Sequence, residues 1–177
     1  LASVRTRYAH IRTTEDYGVG FVYKLKKPVY VWLINFFSSR VVGVCAGARL
    51  LANVPESKWL TIYNGIEDLS HNNSIDASRH VGRLIVMGRF HAAKNQVFAI
   101  YVLKELVDTY PDIAWSISFF GKDDAAIRRS IDCVADSVGV SSRVFFEGVS
   151  QKPLADIAGY DVLLLPSVRE GLPGVVL

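Results

Sequence analysis

The chain has 177 residues, a net charge of +3 and 50% hydrophobic residues. This length allows one large domain or two small ones with a substantial core, and the hydrophobic content excludes an intrinsically disordered chain. The small net charge gives no argument for a nucleic-acid partner. The longest apolar stretch, Pro28 to Phe37, is too short to span a bilayer.

The two cysteines, Cys45 and Cys133, have no metal-binding or redox spacing. We expect both to be small buried residues in a protein of a reducing compartment, which predicts a cytoplasmic location.

The first forty residues are strongly basic beside the aromatic stretch Tyr30 to Phe37, and their only acidic residues are Glu15 and Asp16. Two interpretations stay open: peripheral contact with an anionic membrane surface at the inner face of the membrane, or a solvated face beside a buried helix. The basic residues are Arg5, Arg7, Arg12, Lys24, Lys26, Lys27 and Arg40.

The first third of the chain predicts a strand over residues 41–45, a short helix over 48–52 and a strand over 59–63 that stops at Asn64-Gly65. A polar stretch follows up to residue 80. We therefore divide the chain into the C-terminal part of one Rossmann-like domain (1–64), a linker (65–80) and a second Rossmann-like domain (81–177).

In the second domain, short apolar runs typical of buried strands alternate with stretches whose apolar residues have helical spacing. Strands are predicted over 84–87, 115–120, 144–146 and 162–165, and helices over 95–110, 124–138 and 153–158. This alternation predicts right-handed βαβ units and a parallel sheet. A doubly wound sheet usually has five or six strands, so the predicted fold is α/β, with two Rossmann-like domains that are both incomplete.

Two cations follow the first strand of the second domain. Arg89 and Lys94 lie between that strand and the next helix, where they are placed to hold a diphosphate and to stabilise its charge as a leaving group. Taken alone, the pair is a weak signal, because an Arg and a Lys in a surface loop are usually just solvated.

Glycines follow the next two strands. The turn Phe146-Glu147-Gly148-Val149 presents backbone groups that suit the edge of a nucleobase, and an ordinary turn with a packing glycine explains it as well. Gly121 has the same two interpretations.

The last dozen residues carry the sharpest signal. A buried strand over 162–165 leads through Pro166-Ser167 to Glu170-Gly171-Leu172-Pro173-Gly174, and Val175-Val176-Leu177 are predicted to begin a helix. Ligands of α/β sheets bind at such strand ends, where glycines expose backbone N–H groups to phosphate. A carboxylate there suits sugar hydroxyls, and a sugar nucleotide offers both groups.

These pieces, in this order, resemble the GT-B fold retaining glycosyltransferases of the large group-1 family. The family's junction between its two domains is similar to Asn64-Gly65-Ile66-Glu67. Its diphosphate-binding arginine and lysine correspond to Arg89 in Gly88-Arg89 and Lys94 in Lys94-Asn95. The family's turn at the nucleobase is similar to Phe146-Glu147-Gly148. Its closing signature is similar to the run that begins at Tyr160-Asp161 and ends at Glu170-Gly171. A weaker likeness favours bacterial surface-polysaccharide enzymes.

The resemblance implies a role for each matching residue. Arg89 and Lys94 would bind the donor diphosphate, backbone around Val149 would meet the base, and Glu170 would lie near the transferred sugar. Amides of the closing turn would meet sugar hydroxyls or the β-phosphate, whereas Pro173 has no N–H to donate. The family works without a bound metal or other cofactor and retains the anomeric configuration. The turn amides are those of Gly171, Leu172, Gly174 and Val175.

Two features depart from the family pattern. The second glutamate of its Glu-x7-Glu motif would fall one residue beyond Leu177, and its glycine-rich phosphate loop would precede Leu1. His10 is either an acceptor-side residue or a structural one, and His91 is either part of the phosphate site or of a variable loop.

The resemblance implies transfer of a sugar from a nucleoside-diphosphate sugar, with UDP expected, to a glycan or lipid-linked acceptor. Residues 1–64 then belong to the acceptor-side domain and 81–177 to the donor domain, and we expect the 177-residue chain alone to have little or no activity. Two alternatives stay open: a sugar-nucleotide epimerase of the same fold, and a non-catalytic nucleotide-sugar-binding module.

Overall fold

The computed structural model describes residues 6–11, 21–65 and 82–177. The described residues form two compact units: one contains residues up to 65 together with Arg169–Leu177, and the other contains residues 82–168. Except for Gly65, the predicted linker lies outside the described residues, as do Ile66 and Glu67 of the junction motif.

The first unit contains a parallel sheet with the strand order β1-β2-β3. β2 and β3 confirm the predicted strands but end two residues earlier, while β1 and the long helix α1 are elements that the sequence did not predict. A short strand that alternates exposed and half-buried residues gives a weak signal. The elements are β1 Tyr8–Ile11, α1 Phe21–Phe37, β2 Arg40–Gly43, α2 Ala46–Leu51 and β3 Trp59–Thr61.

A glycine allows close packing in this sheet. A β-carbon on Gly43 would lie 2.1 Å from the indole ring of Trp59, which belongs to the neighbouring strand. The ring therefore lies directly over the Gly43 backbone, and any larger residue at position 43 would displace it.

The second unit contains the parallel sheet that the alternating pattern predicts, and its strand order is β6-β5-β4-β7. β7 is shorter than predicted, although the N–H of Leu164 still donates to the carbonyl of Ile85 at 2.8 Å. Pro166, which has no N–H, follows two residues later. The elements are β4 Arg83–Met87, α3 Gln96–Thr109, β5 Ser116–Phe120, α4 Ala125–Ser137, β6 Val144–Gly148, α5 Pro153–Ala158 and β7 Val162–Leu163.

The core of this unit lies between the sheet and helices α3 and α4. Alternate strand residues are buried on the side that faces these helices, and each helix contributes one buried stripe. The fully buried members include Leu84, Ile117, Phe119, Ile100, Leu103 and Ile131.

Local signals explain where α4 begins and ends. Oδ1 of Asp124 accepts hydrogen bonds from the N–H groups of Ala126 at 3.0 Å and Ile127 at 3.1 Å, which caps the first turn. Gly139, with φ +73°, ends the helix in the left-handed conformation.

Cys133 is exposed on α4, so the prediction that it is buried was wrong. It lies two residues from Ile131, which puts it outside the buried stripe.

The predicted helix start at Val175-Val176-Leu177 stays a prediction. The segment contains a turn in which the N–H of Val176 donates to the carbonyl of Pro173 at 3.1 Å. A helical turn closes through hydrogen bonds four residues apart, and three residues cannot form one among themselves.

None of the helices in the described residues has the length and apolar character needed to cross a membrane.

Candidate functional site

Three glycines form one row at the carboxyl edge of the second sheet. The N–H of Gly88, after β4, donates to the carbonyl of Phe120 at 2.8 Å. The N–H of Gly121, after β5, donates to the carbonyl of Gly148 at 2.7 Å. The ends of three adjacent strands are thus held together at the edge where ligands of α/β sheets bind.

Gly121 is required at its position by a backbone contact. A β-carbon there would lie 2.0 Å from the carbonyl oxygen of Gly88, and its φ of +153° falls in a region that side chains rarely adopt. The two strand ends therefore approach backbone to backbone. For Gly121 this packing role is shown, whereas a contact with a ligand stays a prediction.

Arg89 follows Gly88 directly, and a buried side chain holds its backbone. Nε2 of Gln96, the first residue of α3, donates to the Arg89 carbonyl at 2.9 Å. Gln96 is only 1% exposed, whereas the Arg89 residue is exposed. The backbone is thus anchored to the helix while the arginine stays accessible.

Lys94 lies in the same loop, at the end of the short 3₁₀ turn Ala92–Lys94. Its side chain folds back over the end of β4: Cε lies 3.8 Å from the position that a β-carbon would take on Gly88. The structure therefore brings both predicted cations to the carboxyl end of one strand. The first turn of α3, whose N–H groups favour anions, begins two residues later.

His91 has a structural role in this loop. Its Nδ1 accepts a hydrogen bond from the N–H of Ala93 at 3.2 Å, which caps the 3₁₀ turn that ends at Lys94. His10 is exposed on β1, and nothing in the structure distinguishes its two interpretations.

The beginning of the closing signature lies beside the loop with the two cations. The N–H of Val168 donates to the carbonyl of Ala93 at 2.9 Å. The preceding residue, Ser167, has a buried hydroxyl with no hydrogen-bond partner among the described residues. A segment far away along the chain therefore joins the edge formed by β4.

The rest of the closing turn, from Arg169 onward, is assigned to the first unit. There, Nδ2 of Asn64 and the carbonyl oxygen of Leu172 lie 3.4 Å apart, at the long end of hydrogen-bond distances. Glu170 is half-buried and Gly174 exposed. Their predicted contacts with a donor, and those of Gly171, Leu172 and Val175, stay predictions.

Val149 follows the glycine row at the end of β6 and is exposed. Its loop is held by Ser150, whose hydroxyl donates to the carboxylate of Asp156 in α5 and accepts from the N–H of Lys152 at 3.1 Å. The loop is anchored next to the row, and its contact with a nucleobase stays a prediction.

Gln96 is a site residue that the sequence prediction missed. Its signal was available: positions 96, 99, 100 and 103 form one buried stripe of α3, and a polar residue in such a stripe needs a partner. Its Oε1 has no partner among the described residues, so Gln96 still has an unused acceptor.

A cavity of about 470 Å³ in the second unit contains none of the predicted site residues. Its lining mixes polar and apolar residues, and one of them, Arg83, forms an ion pair with Asp161 at 3.5 Å. The described residues contain no cluster of three or more His, Cys, Asp and Glu side chains suited to a metal ion. The cavity lining includes Arg83, Ser116, Ser118, Glu147, Asp156 and Tyr160.

No protein-family model matches the chain. Its sequence is similar to a curated protein, the capsular polysaccharide biosynthesis glycosyltransferase CapH of Staphylococcus aureus, with 28% identity over 181 residues. The match covers 99% of the chain and 50% of CapH, so the chain spans half the length of this relative.

Solved structures show the same architecture. A point mutant of S. aureus TarM, in complex with fondaparinux, α-GlcNAc-glycerol and UDP, has a TM-score of 0.74 at 15% identity and covers 96% of this chain and 34% of TarM. HepE from Anabaena, in complex with UDP and glucose, has a TM-score of 0.69 at 16% identity and covers 90% of this chain and 45% of HepE. At these identities the likeness shows the fold.

The comparisons confirm both the predicted fold class and the resemblance on which it rested. The chain has the GT-B fold, and both its sequence relative and its structural neighbours are glycosyltransferases.

Proposed function

We propose that the chain belongs to a retaining glycosyltransferase that moves a sugar from a UDP-sugar to a glycan or lipid-linked acceptor, and that residues 82–168 bind the donor nucleotide. The observation that carries the proposal is the placement of Arg89 and Lys94 together at the carboxyl end of β4. The capsular polysaccharide function named for CapH and the UDP bound to TarM and HepE support it.

In this proposal the two cations bind the donor diphosphate. The bond between the anomeric carbon and the β-phosphate oxygen breaks, and the negative charge that develops on UDP is offset by the Arg89 guanidinium and the Lys94 ammonium. The first-turn N–H groups of α3 contribute in the same direction. These groups carry the charge without a bound metal, so a chelator is expected to leave UDP affinity unchanged.

The acceptor hydroxyl attacks the anomeric carbon on the face from which UDP departs, which retains the configuration. Its proton passes to a phosphate oxygen of the leaving UDP. Glu170 accepts hydrogen bonds from hydroxyls of the transferred sugar, and the N–H groups of Gly171, Leu172, Gly174 and Val175 bind sugar or β-phosphate oxygens. Backbone groups at Val149 meet the edge of the uracil.

The proposal includes a cytoplasmic location. Cys45 and Cys133 are both free, which fits a reducing compartment.

Titration of the chain with UDP, GDP and ADP by isothermal calorimetry tests the donor site. We expect tightest binding for UDP and at least a tenfold loss of affinity in Arg89→Ala and in Lys94→Ala, because each substitution removes a charge-assisted contact. Arg129→Ala on α4 and Lys104→Ala on α3 are matched controls, since both change a cation on a helix surface. Unchanged affinity in both site variants contradicts the proposal.

Product analysis separates the proposed reaction from its alternatives. A new glycosidic bond identifies a transferase, a changed sugar nucleotide identifies an epimerase, and binding without either product identifies a nucleotide-sugar-binding module. The 177-residue chain is expected to bind UDP with little or no transfer, because it spans half the length of CapH. Turnover of UDP-sugar by the chain at the rate of a full-length relative contradicts that expectation.

A further inference from the structure

The end of β6 departs from regular strand pairing. Phe119 of β5 pairs with Phe146 of β6. The next residue of β5, Phe120, pairs with Gly148, so Glu147 is an extra residue on β6. A β-bulge of this kind bends its strand and redirects the residues that follow. Gly148 is the last residue of β6 and has a φ of +76°, so the path of the turn that it begins depends on what holds the bulge.

On the side of the sheet that faces α4, an arginine holds the residue before the bulge. The guanidinium carbon of Arg128 lies 4.1 Å from the centroid of the Phe146 ring, where the negative face of the ring attracts the cation. Nη1 of Arg128 also pairs with Oδ2 of Asp123 at 3.2 Å, in the loop that follows β5. Arg128 therefore connects the end of β6 to the neighbouring loop.

The Phe146 ring also belongs to an aromatic cluster that reaches the loop with the two cations. It stacks on Phe119 with 5.6 Å between centroids. The Phe90 ring lies 6.0 Å from that of Phe146 and 6.2 Å from that of Phe119. Phe90 follows Arg89 directly, and its N–H donates to the carbonyl of Lys122 at 3.0 Å. The end of β6 is thus connected to the backbone at Arg89 through three packed rings.

On the other face of the sheet, a second contact holds the bulge residue itself. Oγ of Ser118, a residue that is only 5% exposed, donates to Oε1 of Glu147 at 3.2 Å. A hydrogen bond to a carboxylate is stronger than one between neutral groups. The bulge is therefore held from both faces: Arg128 holds Phe146, and Ser118 holds Glu147.

We propose that Arg128 and Ser118 are positioning residues that hold the Gly148-Val149 turn at a fixed place relative to Arg89, and that they thereby make the donor site selective for a uracil nucleotide. This role rests on the proposed donor site and accounts for its base selectivity. A nucleoside diphosphate must reach from the turn to the cations. A turn that is held in one place therefore fits one size of base, whereas a released turn adjusts to others.

Calorimetric titration with UDP, ADP and pyrophosphate tests this role. Arg128→Ala is expected to bind UDP about fivefold more weakly and to lose about threefold in its preference for UDP over ADP, because the turn is no longer held. Its affinity for pyrophosphate should stay the same, since pyrophosphate needs the two cations and not the turn. Ser118→Ala is expected to show the same pattern, with a loss of about threefold for UDP.

Matched controls lie on the same elements. Arg129→Ala removes the neighbouring cation of α4, and Ser116→Ala removes a hydroxyl at the other end of β5. Both are expected to bind UDP as the unchanged chain does. Arg128→Lys keeps a cation that can lie over the Phe146 ring, and it is expected to recover most of the UDP affinity that Arg128→Ala loses.

Urea denaturation separates positioning from stability. A role in stability alone would lower the denaturation midpoint of Arg128→Ala and leave the ratio of UDP to ADP affinity in the folded protein unchanged. Should Arg128→Ala not fold, Ser118→Ala carries the test, because it removes a single oxygen atom.

Two outcomes overturn the positioning role while the donor site stands. One is an unchanged ratio of UDP to ADP affinity in Arg128→Ala and Ser118→Ala, and the other is an equal loss for UDP and pyrophosphate in these variants. Arg89→Ala tests the donor site in the same titrations and is expected to weaken the binding of UDP and of pyrophosphate alike. If the unchanged chain binds no UDP, or if Arg89→Ala and Lys94→Ala both keep its affinities, the proposed function fails and this role fails with it.

Discussion

The backbone N–H of Val168 donates a hydrogen bond of 2.9 Å to the carbonyl oxygen of Ala93. Ala93 lies in the loop between Arg89 and Lys94, and Val168 precedes the segment that contains Glu170. The bond therefore connects the loop that carries Arg89 and Lys94 to the segment that follows β7. Four substitutions test the contacts that shape this edge of the sheet and the groups proposed to act at it.

The variant Val168→Pro removes this N–H. We expect it to bind UDP severalfold more weakly and to lose about 0.5–1.5 kcal/mol of unfolding free energy, because the Ala93 carbonyl loses its donor. Val168→Ala is the matched control, since it keeps the N–H and truncates an exposed side chain. Calorimetry and urea denaturation measure the two effects. Equal UDP affinity in the two variants contradicts the coupling.

Gln96→Leu tests the anchor of Arg89. The substitution keeps a buried side chain of similar volume and deletes the hydrogen bond to the Arg89 carbonyl. We expect a change of about 1 kcal/mol in stability and a severalfold loss of UDP affinity, because the arginine backbone is no longer held to α3. A purely structural role of Gln96 would change the denaturation midpoint and leave UDP affinity unchanged in the folded protein.

Gly121→Ala tests the close approach of the strand ends. The added methyl group would meet the Gly88 carbonyl oxygen at 2.0 Å, so β4 and β5 must separate locally. We expect a loss of about 3 kcal/mol in unfolding free energy, from overpacking and backbone strain together. Gly47→Ala is the control, because a β-carbon there would lie 4.0 Å from Cys45 Sγ, an ordinary van der Waals distance. Similar denaturation midpoints for the two variants would contradict the close approach.

Glu170→Gln separates sugar recognition from nucleotide recognition. If the carboxylate accepts hydrogen bonds from sugar hydroxyls, the variant should bind a UDP-sugar about tenfold more weakly, because bonds to charged groups are the stronger ones. Its affinity for UDP alone should stay the same. Competition titration with both ligands measures the ratio. An equal loss for UDP and UDP-sugar would place Glu170 at the nucleotide instead.

The sequence by itself determined the alternation of strands and helices in the second unit, with boundaries mostly within two residues. It also determined the position of Arg89 and Lys94 between β4 and α3. These features depend on local signals: the period of apolar residues, a capping residue such as Asp124 and a left-handed glycine such as Gly139. Each acts within a few residues of the chain, so each is visible without the fold.

Only the tertiary structure decided which distant groups meet. The bond between Val168 and Ala93, the bond from Gln96 to Arg89 and the return of Lys94 over Gly88 depend on strand order and on side-chain direction. The exposed aromatic face of α1 is a further case. An apolar period shows that a helix has apolar faces, but only packing decides which of them the protein covers and which one stays exposed.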